Sequence, residues 1–388
     1  QQTTESPTFH SETMAVYPGD KNNLPYDVVV ERLHIEEPEP PAPVTEPEKT
    51  FEEVLDEHPV SIQVNGQWQT FPNAKAAEEA SYEEYKANLR RNAKNFRITD
   101  EHLGEGGPKA KFQANINAIR LLKELEAAGQ QASPEQQEVL SRYVGWGGLA
   151  DAFDPEKPAW AAEYTQLKEL LTPEEYTAAR SSTLNAHYTS PTVIQAIYEA
   201  VDRMGFETGN ILEPSMGVGN FFGMLPEKMR NSRLYGVELD PVSGRIAKQL
   251  YPKADITVGG FETTDRRDFF DLAIGNVPFG QYQVNDKAYN KLNFNIHNYF
   301  FAKAMDQVRP GGVVAFVTSR YTMDAKDSTV RRYLAQRAEL LGAIRLPNDA
   351  FKKNAGAEVV SDIIFLQKRD RPLDIVPEWT QTGQTEDG

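Results

Sequence analysis

Between about Ser181 and Leu366 short apolar runs alternate with gaps long enough for helices, and few folds accept that rhythm. The runs are Asn210–Glu213, Leu234–Glu238, Asp255–Val258, Asp271–Ile274, Val313–Val317, Leu341–Arg345 and Asp362–Leu366. Each is too short for a buried helix, and most lack the polar alternation of a half-solvated strand, so they read as strands buried on both faces. Strands separated by helices predict an α/β domain with a mostly parallel seven-stranded sheet. Asn298–Val308 and Ser328–Leu340 are two of the expected helices.

Ligands of such sheets sit beyond the carboxyl ends of the strands, so the residues at those ends carry the functional reading. The first run closes with Glu213-Pro214-Ser215-Met216-Gly217-Val218-Gly219-Asn220-Phe221. Its glycines permit a sharp turn and close approach of backbone to a ligand. No Gly-Lys-Ser/Thr follows, so it is not a P-loop, and Phe222 spoils a GxGxxG pattern. The second run ends in Glu238, where a carboxylate can accept hydrogen bonds from both hydroxyls of a ribose. The fourth leads into Asn276-Val277-Pro278-Phe279. An amide and a carbonyl there can accept bonds from an exocyclic NH2, while the aromatic ring stacks on the base that bears it.

In that order, a glycine turn with an acid, a second acid and Asn-x-Pro-Phe, the chain resembles the N6-adenine DNA methyltransferases of the gamma arrangement. The likeness covers about residues 96–370. It is strongest to the methylase segments of methylase–helicase proteins in phages and conjugative elements, through Val144-Gly145-Trp146-Gly147-Gly148, Gly275–Gly280 and Ala343-Ile344-Arg345-Leu346-Pro347. The resemblance implies a Rossmann-like S-adenosylmethionine-dependent methyltransferase domain, a DNA partner, a helicase region in a longer parent protein, and no metal. It places His187, Tyr188 and Thr189, ahead of a helix expected over Thr192–Val201, with the cofactor. Glu213, Pro214, Met216, Gly217, Gly219, Asn220 and Phe221 would surround its methionine part, Glu238 its ribose and Leu239 its adenine. The family's acid near the end of the third strand falls at Gly260, in Val258-Gly259-Gly260-Phe261-Glu262, leaving Glu262, beside Phe261, as the candidate replacement. Val277 stands where the family most often has Pro and keeps the carbonyl that matters.

The same resemblance implies that Asn276 and the Val277 carbonyl grip N6 of a flipped-out adenine, with Pro278 fixing the turn and Phe279 stacking. Phe294, His297 and Arg320 are candidate contacts to the base or its phosphate. Asn-x-Pro-Phe also serves cytosine N4, RNA bases and protein glutamine, and a degenerate cofactor site would leave a DNA-binding module without activity.

The rest of the 388-residue chain sets limits. There is no Cys, so disulfides, thiolate zinc sites and a Cys nucleophile are excluded, which fits a cytoplasmic protein. No apolar run reaches a membrane span, and there is no signal-peptide pattern. The first residue, Gln1 rather than Met, fits a piece of a longer protein. The net charge of −16 is concentrated at the ends, since residues 1–73 hold 14 acids against 3 bases and 370–388 hold 5 against 1. The middle is near neutral and compatible with a DNA partner.

Four regions follow: an acidic Pro/Glu-rich linker with a small β-hairpin at Asn65-Gly66 (1–73), a helical region (74–180), the methyltransferase domain (181–370) and a flexible acidic tail (371–388). In the helical region Ile116, Ile119, Leu122 and Leu125 share a face, and Ser133-Pro134 starts a helix. The glycine-flanked Trp146 fits either a tight turn with a core Trp or close approach to a ligand.

Overall fold

The computed structural model describes residues 58–100, 102–183, 189–348, 350 and 360–384. They belong to two compact units, one up to Ala87 and one from Asn88. In the first, β1 (Val60–Val64) pairs antiparallel with β2 (Gln67–Phe71). Asn65 and Gly66 turn the chain at φ 52° and 74°, the two positive values a type I′ turn needs. Helix α1 (Ala74–Asn92) begins in this unit, with the Asn73 side chain accepting a bond from Ala76 N.

The second unit opens with a helical layer. It comprises α2 (Pro108–Ala127), α3 (Pro134–Ser141), α4 (Ala161–Leu170) and α5 (Pro173–Ser182). Ser133 and Thr172 close capping boxes with Gln136 and Glu175. Ile116, Ile119, Leu122 and Leu125 are buried, as their spacing predicts. Trp146 is a core residue, 1% exposed, with Phe112, Tyr143 and Phe153 edge-on around it. Buried Asn115 secures this turn by donating to Gly145 O (2.6 Å) and accepting from Val144 N (2.8 Å).

Next come α6 (Pro191–Arg203), β3 (Asn210–Glu213), β4 (Arg233–Glu238), α7 (Pro241–Leu250), β5 (Asp255–Val258) and β6 (Phe270–Asn276). Then follow α8 (Ile296–Gln307), β7 (Val308–Ser319), α9 (Thr329–Arg337), β8 (Ala338–Arg345) and β9 (Ser361–Lys368). The seven strands form one sheet in the order β5-β4-β3-β6-β7-β9-β8. All neighbours are parallel except β9, which runs antiparallel to β7 and β8. Side chains alternate between two cores: Ile211, Leu272, Ile274 and Val317 face the helical layer, whereas Leu212, Ala273, Val314 and Phe316 face α8.

Polar contacts bind the helical layer to α7. Arg245 bridges Glu126 (2.8 Å) and buried Glu175 (2.7 Å), and Lys123 also pairs with Glu175. Gln137 donates to the carbonyls of Lys94, Gln249 and Leu250. Ahead of these helices, Phe96 N donates to Leu250 O and Ile98 N to Gly223 O.

Residues 371–375 and 381–384 of the tail expected from 371 onward are exposed, and a short stretch between them is anchored. Thr380 is fully buried and Trp379 lies against the α8-side core. The reason is Arg331, itself 1% exposed, whose Nε donates to Thr380 O at 2.9 Å. A buried guanidinium requires acceptors, and this segment supplies one.

Candidate active site

The strand order reverses between β3 and β6: the chain runs outward from β3 through β4 to β5, and from β6 through β7 the other way. Such a switch point leaves a crevice at the carboxyl ends of the two central strands. Glu213 ends β3 and Asn276 ends β6, so the topology puts both motifs at its mouth.

Glu213 is 2% exposed and its Oε2 has no hydrogen-bond partner. Burial, and then neighbouring Glu238, push its carboxyl well above the usual range. Glu238 accepts bonds from Gly217 N and Asp240 N, both 2.7 Å. Burial foremost, with Asp240 beside it, still raises it to about 7. The glycine turn is shaped around them. Gly217 has φ +56° with open space where a Cβ would stand. At Gly219, φ +85°, a Cβ would come within 2.9 Å of Met216. Met216 N donates to Val237 O, and Pro214 and Phe221 are buried while Asn220 is half-buried. Two neighbouring carboxyl groups beside open backbone suit a cationic ligand with ribose hydroxyls.

Leu239 follows Glu238 and is 74% exposed. Beyond β5, Phe261 lies in the α8-side core against Phe300, 5.0 Å between ring centroids. A Cβ on Gly260 would overlap the Glu262 carboxylate. Glu262 therefore folds back over the glycine and puts an acid there. Thr189 is buried; His187 and Tyr188 lie outside the described residues.

Asn276 and Phe279 are half-buried, Val277 is 2% exposed, and Val277 N donates to Val317 O of β7 at 3.1 Å. The motif is thus fixed to the sheet through its second residue. Gly275, immediately before, faces the side chain of Glu213. His297 is 3% exposed at the start of α8. Burial lowers it to about 4, with the Gly280 backbone beside it opposing that shift. Phe294 is 8% exposed and packs edge-on to Tyr333. Arg320 is exposed after β7, its guanidinium 4.9 Å from the ring of Tyr321.

Two features here were not predicted. Tyr282 lays its ring over Gly280 and stays 47% exposed beside the motif. Lys303 of α8 is 3% exposed, with its ammonium on Asp286. Neither has a sequence signature: a lone Tyr in a polar loop and a Lys inside an aromatic helix gain meaning only from the fold. Among the described residues no acid or His cluster could hold a metal, and no helix is long and apolar enough to cross a membrane.

Residues 256–351 match the Eco57I restriction-modification methylase family. The defense against restriction protein B of Escherichia phage P1 is 27% identical over 272 residues, covering 68% of this chain and 10% of that protein. The type II methyltransferase M.CvrRI of Paramecium bursaria Chlorella virus XZ-6E is 45% identical over 74 residues, 19% of each chain. A type II methyltransferase of Thermus thermophilus is 29% identical over 147 residues, a third of each. The chain therefore spans a tenth to a third of the length of these relatives. Among solved structures, one described as a class I S-adenosylmethionine-dependent methyltransferase from Listeria monocytogenes superposes with TM-score 0.43 and 19% identity, over 69% of this chain and 91% of that one. A quarter of the chain, spanning the strand that carries Asn276 and the elements around it, is thus similar to a restriction-modification methylase, set within the mostly parallel seven-stranded sheet.

Proposed function

We propose that this chain transfers a methyl group from S-adenosylmethionine to the exocyclic N6 of an adenine flipped out of DNA. The observation that carries the reading is the placement of Asn276–Phe279 at the switch point, one strand from the buried acid Glu213. Glu213 and the Met216–Phe221 turn hold the methionine part of the cofactor, with Thr189 alongside. Glu238 takes the ribose hydroxyls, exposed Leu239 covers the adenine, and Glu262, beside Phe261, supplies the acid that Gly260 lacks.

The N6 lone pair of adenine is delocalised into the ring, so it is a weak nucleophile. Asn276 Oδ1 and the Val277 carbonyl accept the two N6–H bonds, which draws the nitrogen toward tetrahedral geometry and localises the pair. S-adenosylmethionine, when bound there, would supply an electrophilic sulfonium methyl, for which N6 would exchange one proton, lost to water, as the C–S bond broke. Catalysis rests on positioning and charge placement. Extracting the base costs a few kcal/mol. Stacking on Phe279 returns about 1–3 kcal/mol. His297, neutral and with one ring nitrogen turned to the Gly280 backbone, offers its other nitrogen to the base edge, with Phe294 behind the pocket. Arg320 meets the phosphate.

Incubating the protein with defined oligonucleotides and S-adenosylmethionine, followed by nucleoside mass spectrometry, tests this. The expected product is N6-methyladenine. N4-methylcytosine would overturn the adenine assignment, and methylation confined to RNA or protein would overturn the DNA assignment.

A further inference from the structure

The mechanism above leaves the buried cation of α8 unused. Lys303 lies mid-way along α8, its ammonium 2.8 Å from Asp286 Oδ2 and 3.1 Å from the Glu262 carbonyl. The rings of Phe261, Tyr289 and Tyr299 stand 5.3, 5.8 and 6.0 Å away. A charge removed from water this far is kept only where its partners are well placed. Those partners belong to two different segments. Glu262 and Phe261 form the turn after β5, assigned above to the cofactor. Asp286 and Tyr289 belong to the loop that leaves the Asn276–Phe279 motif.

The rest of α8 repeats the double attachment. Toward the turn, Gln307 donates to Thr264 Oγ1 and Asp306 pairs with Arg267. Toward the loop, Tyr299 donates to Asp286, Asp306 accepts from Tyr289, and Ile296 N bonds Tyr282 O. Asp286 in turn organises its loop, accepting from Ala288 N, Tyr289 N and Asn290 N. Displacing either segment therefore breaks bonds that also hold the other.

We propose that Lys303 is a positioning residue that couples the cofactor turn to the loop on the nucleic-acid side, so that cofactor and target strand bind cooperatively. This rests on the function proposed above, which assigns a ligand to each segment. Ordering the turn around one ligand fixes the Lys303 ammonium and hence Asp286, so the second ligand meets a loop already in place. Such coupling is reciprocal.

The test is calorimetric titration of S-adenosylhomocysteine into the whole protein, alone and with a saturating adenine-containing oligonucleotide. We expect the oligonucleotide to tighten cofactor-product binding about 5- to 10-fold in wild type. In Lys303→Met that ratio falls below about twofold, while binding of S-adenosylhomocysteine alone persists. Lys303→Arg restores part of the ratio. A purely structural role for Lys303 would lower the melting temperature without changing the ratio. Should Lys303→Met fail to fold, Asp286→Asn, which keeps the cation and weakens the link, is measured in its place. A wild type that binds both ligands independently, or a variant with the wild-type ratio, overturns the coupling alone. A wild type that binds neither ligand overturns the proposed function with it.

Discussion

Gly275, the last residue before the Asn-Val-Pro-Phe motif, faces the side chain of Glu213, the acid that ends the neighbouring strand. A Cβ on Gly275 would stand 3.4 Å from Glu213 Cγ, and Gly275 holds φ at +149°, a value side chains other than glycine's rarely permit. The methyl group of Gly275→Ala would find room against Glu213, but the backbone conformation it must adopt should strain the strand end that presents the motif. We expect kcat/KM for methyl transfer to fall about 100-fold, the scale of a misplacement near 1 Å. Steady-state kinetics beside a melting curve will check this; an unchanged rate in a folded variant contradicts that strain.

Asn276→Ala removes the side-chain acceptor without touching the carbonyl of Val277 or the glycine turn. Transfer should drop by about 100- to 1000-fold, the usual cost of one charge-stabilising contact. Cofactor affinity, measured by calorimetry, should stay within about twofold, since Asn276 is assigned to the target base. Loss of both together would mean that Asn276 holds the cofactor instead.

With Glu238 proposed as the ribose acid, cofactor binding should depend on pH. Its folded-state value of about 7 lies above the ordinary carboxylate value. The stability it contributes is therefore full below the unfolded value and is lost as pH rises through 7. Ribose hydroxyls donate to the ionised form, so affinity for S-adenosylmethionine should rise between pH 6 and 8, by up to about tenfold. Glu238→Gln should flatten that profile and weaken binding by about 1–2 kcal/mol. Titrations at three pH values decide between a sloped and a flat wild-type profile.

His297 acts on stability in the opposite sense. Burial lowers it from 6.5 to about 4, so the unfolded chain takes up the proton first. Stability from this group is intact above pH 6.5 and declines as pH falls toward 4, by on the order of 3 kcal/mol in all. Urea unfolding at pH 7, 5.5 and 4.5 should show this acid loss shrinking in His297→Phe. Equal losses in both proteins would place the acid sensitivity elsewhere.

Much of this site could be read from the sequence because it lies at strand ends. Buried parallel strands are local apolar runs, and their order fixes which termini meet. The starts of Asn210–Glu213 and Asp255–Val258 needed no correction. The fifth strand begins at Val308, earlier than its apolar run, because Arg309-Pro310-Gly311-Gly312 carries the wrong residue types for a strand yet is held beside Phe270. The burial of Thr380 was invisible for a similar reason: its anchor, Arg331, is a charged residue that becomes core only through carbonyls, of which that of Thr380 comes from far along the chain. The same holds for Glu262, whose return over Gly260 is a matter of side-chain direction.

The contacts between α7 and the helices ahead of it bear on how the chain can be cut. Gln137 reaches Lys94, Gln249 and Leu250, and Phe96 N is bonded to Leu250 O. A fragment starting at 181 would retain the glycine turn, Glu238 and Asn276–Phe279 yet strip Arg245 and Gln249 of their partners beside the turn that carries Glu238. The minimal independently folding catalytic fragment should therefore start upstream of Lys94, and proteolysis within the helical layer should release cofactor before it degrades the sheet.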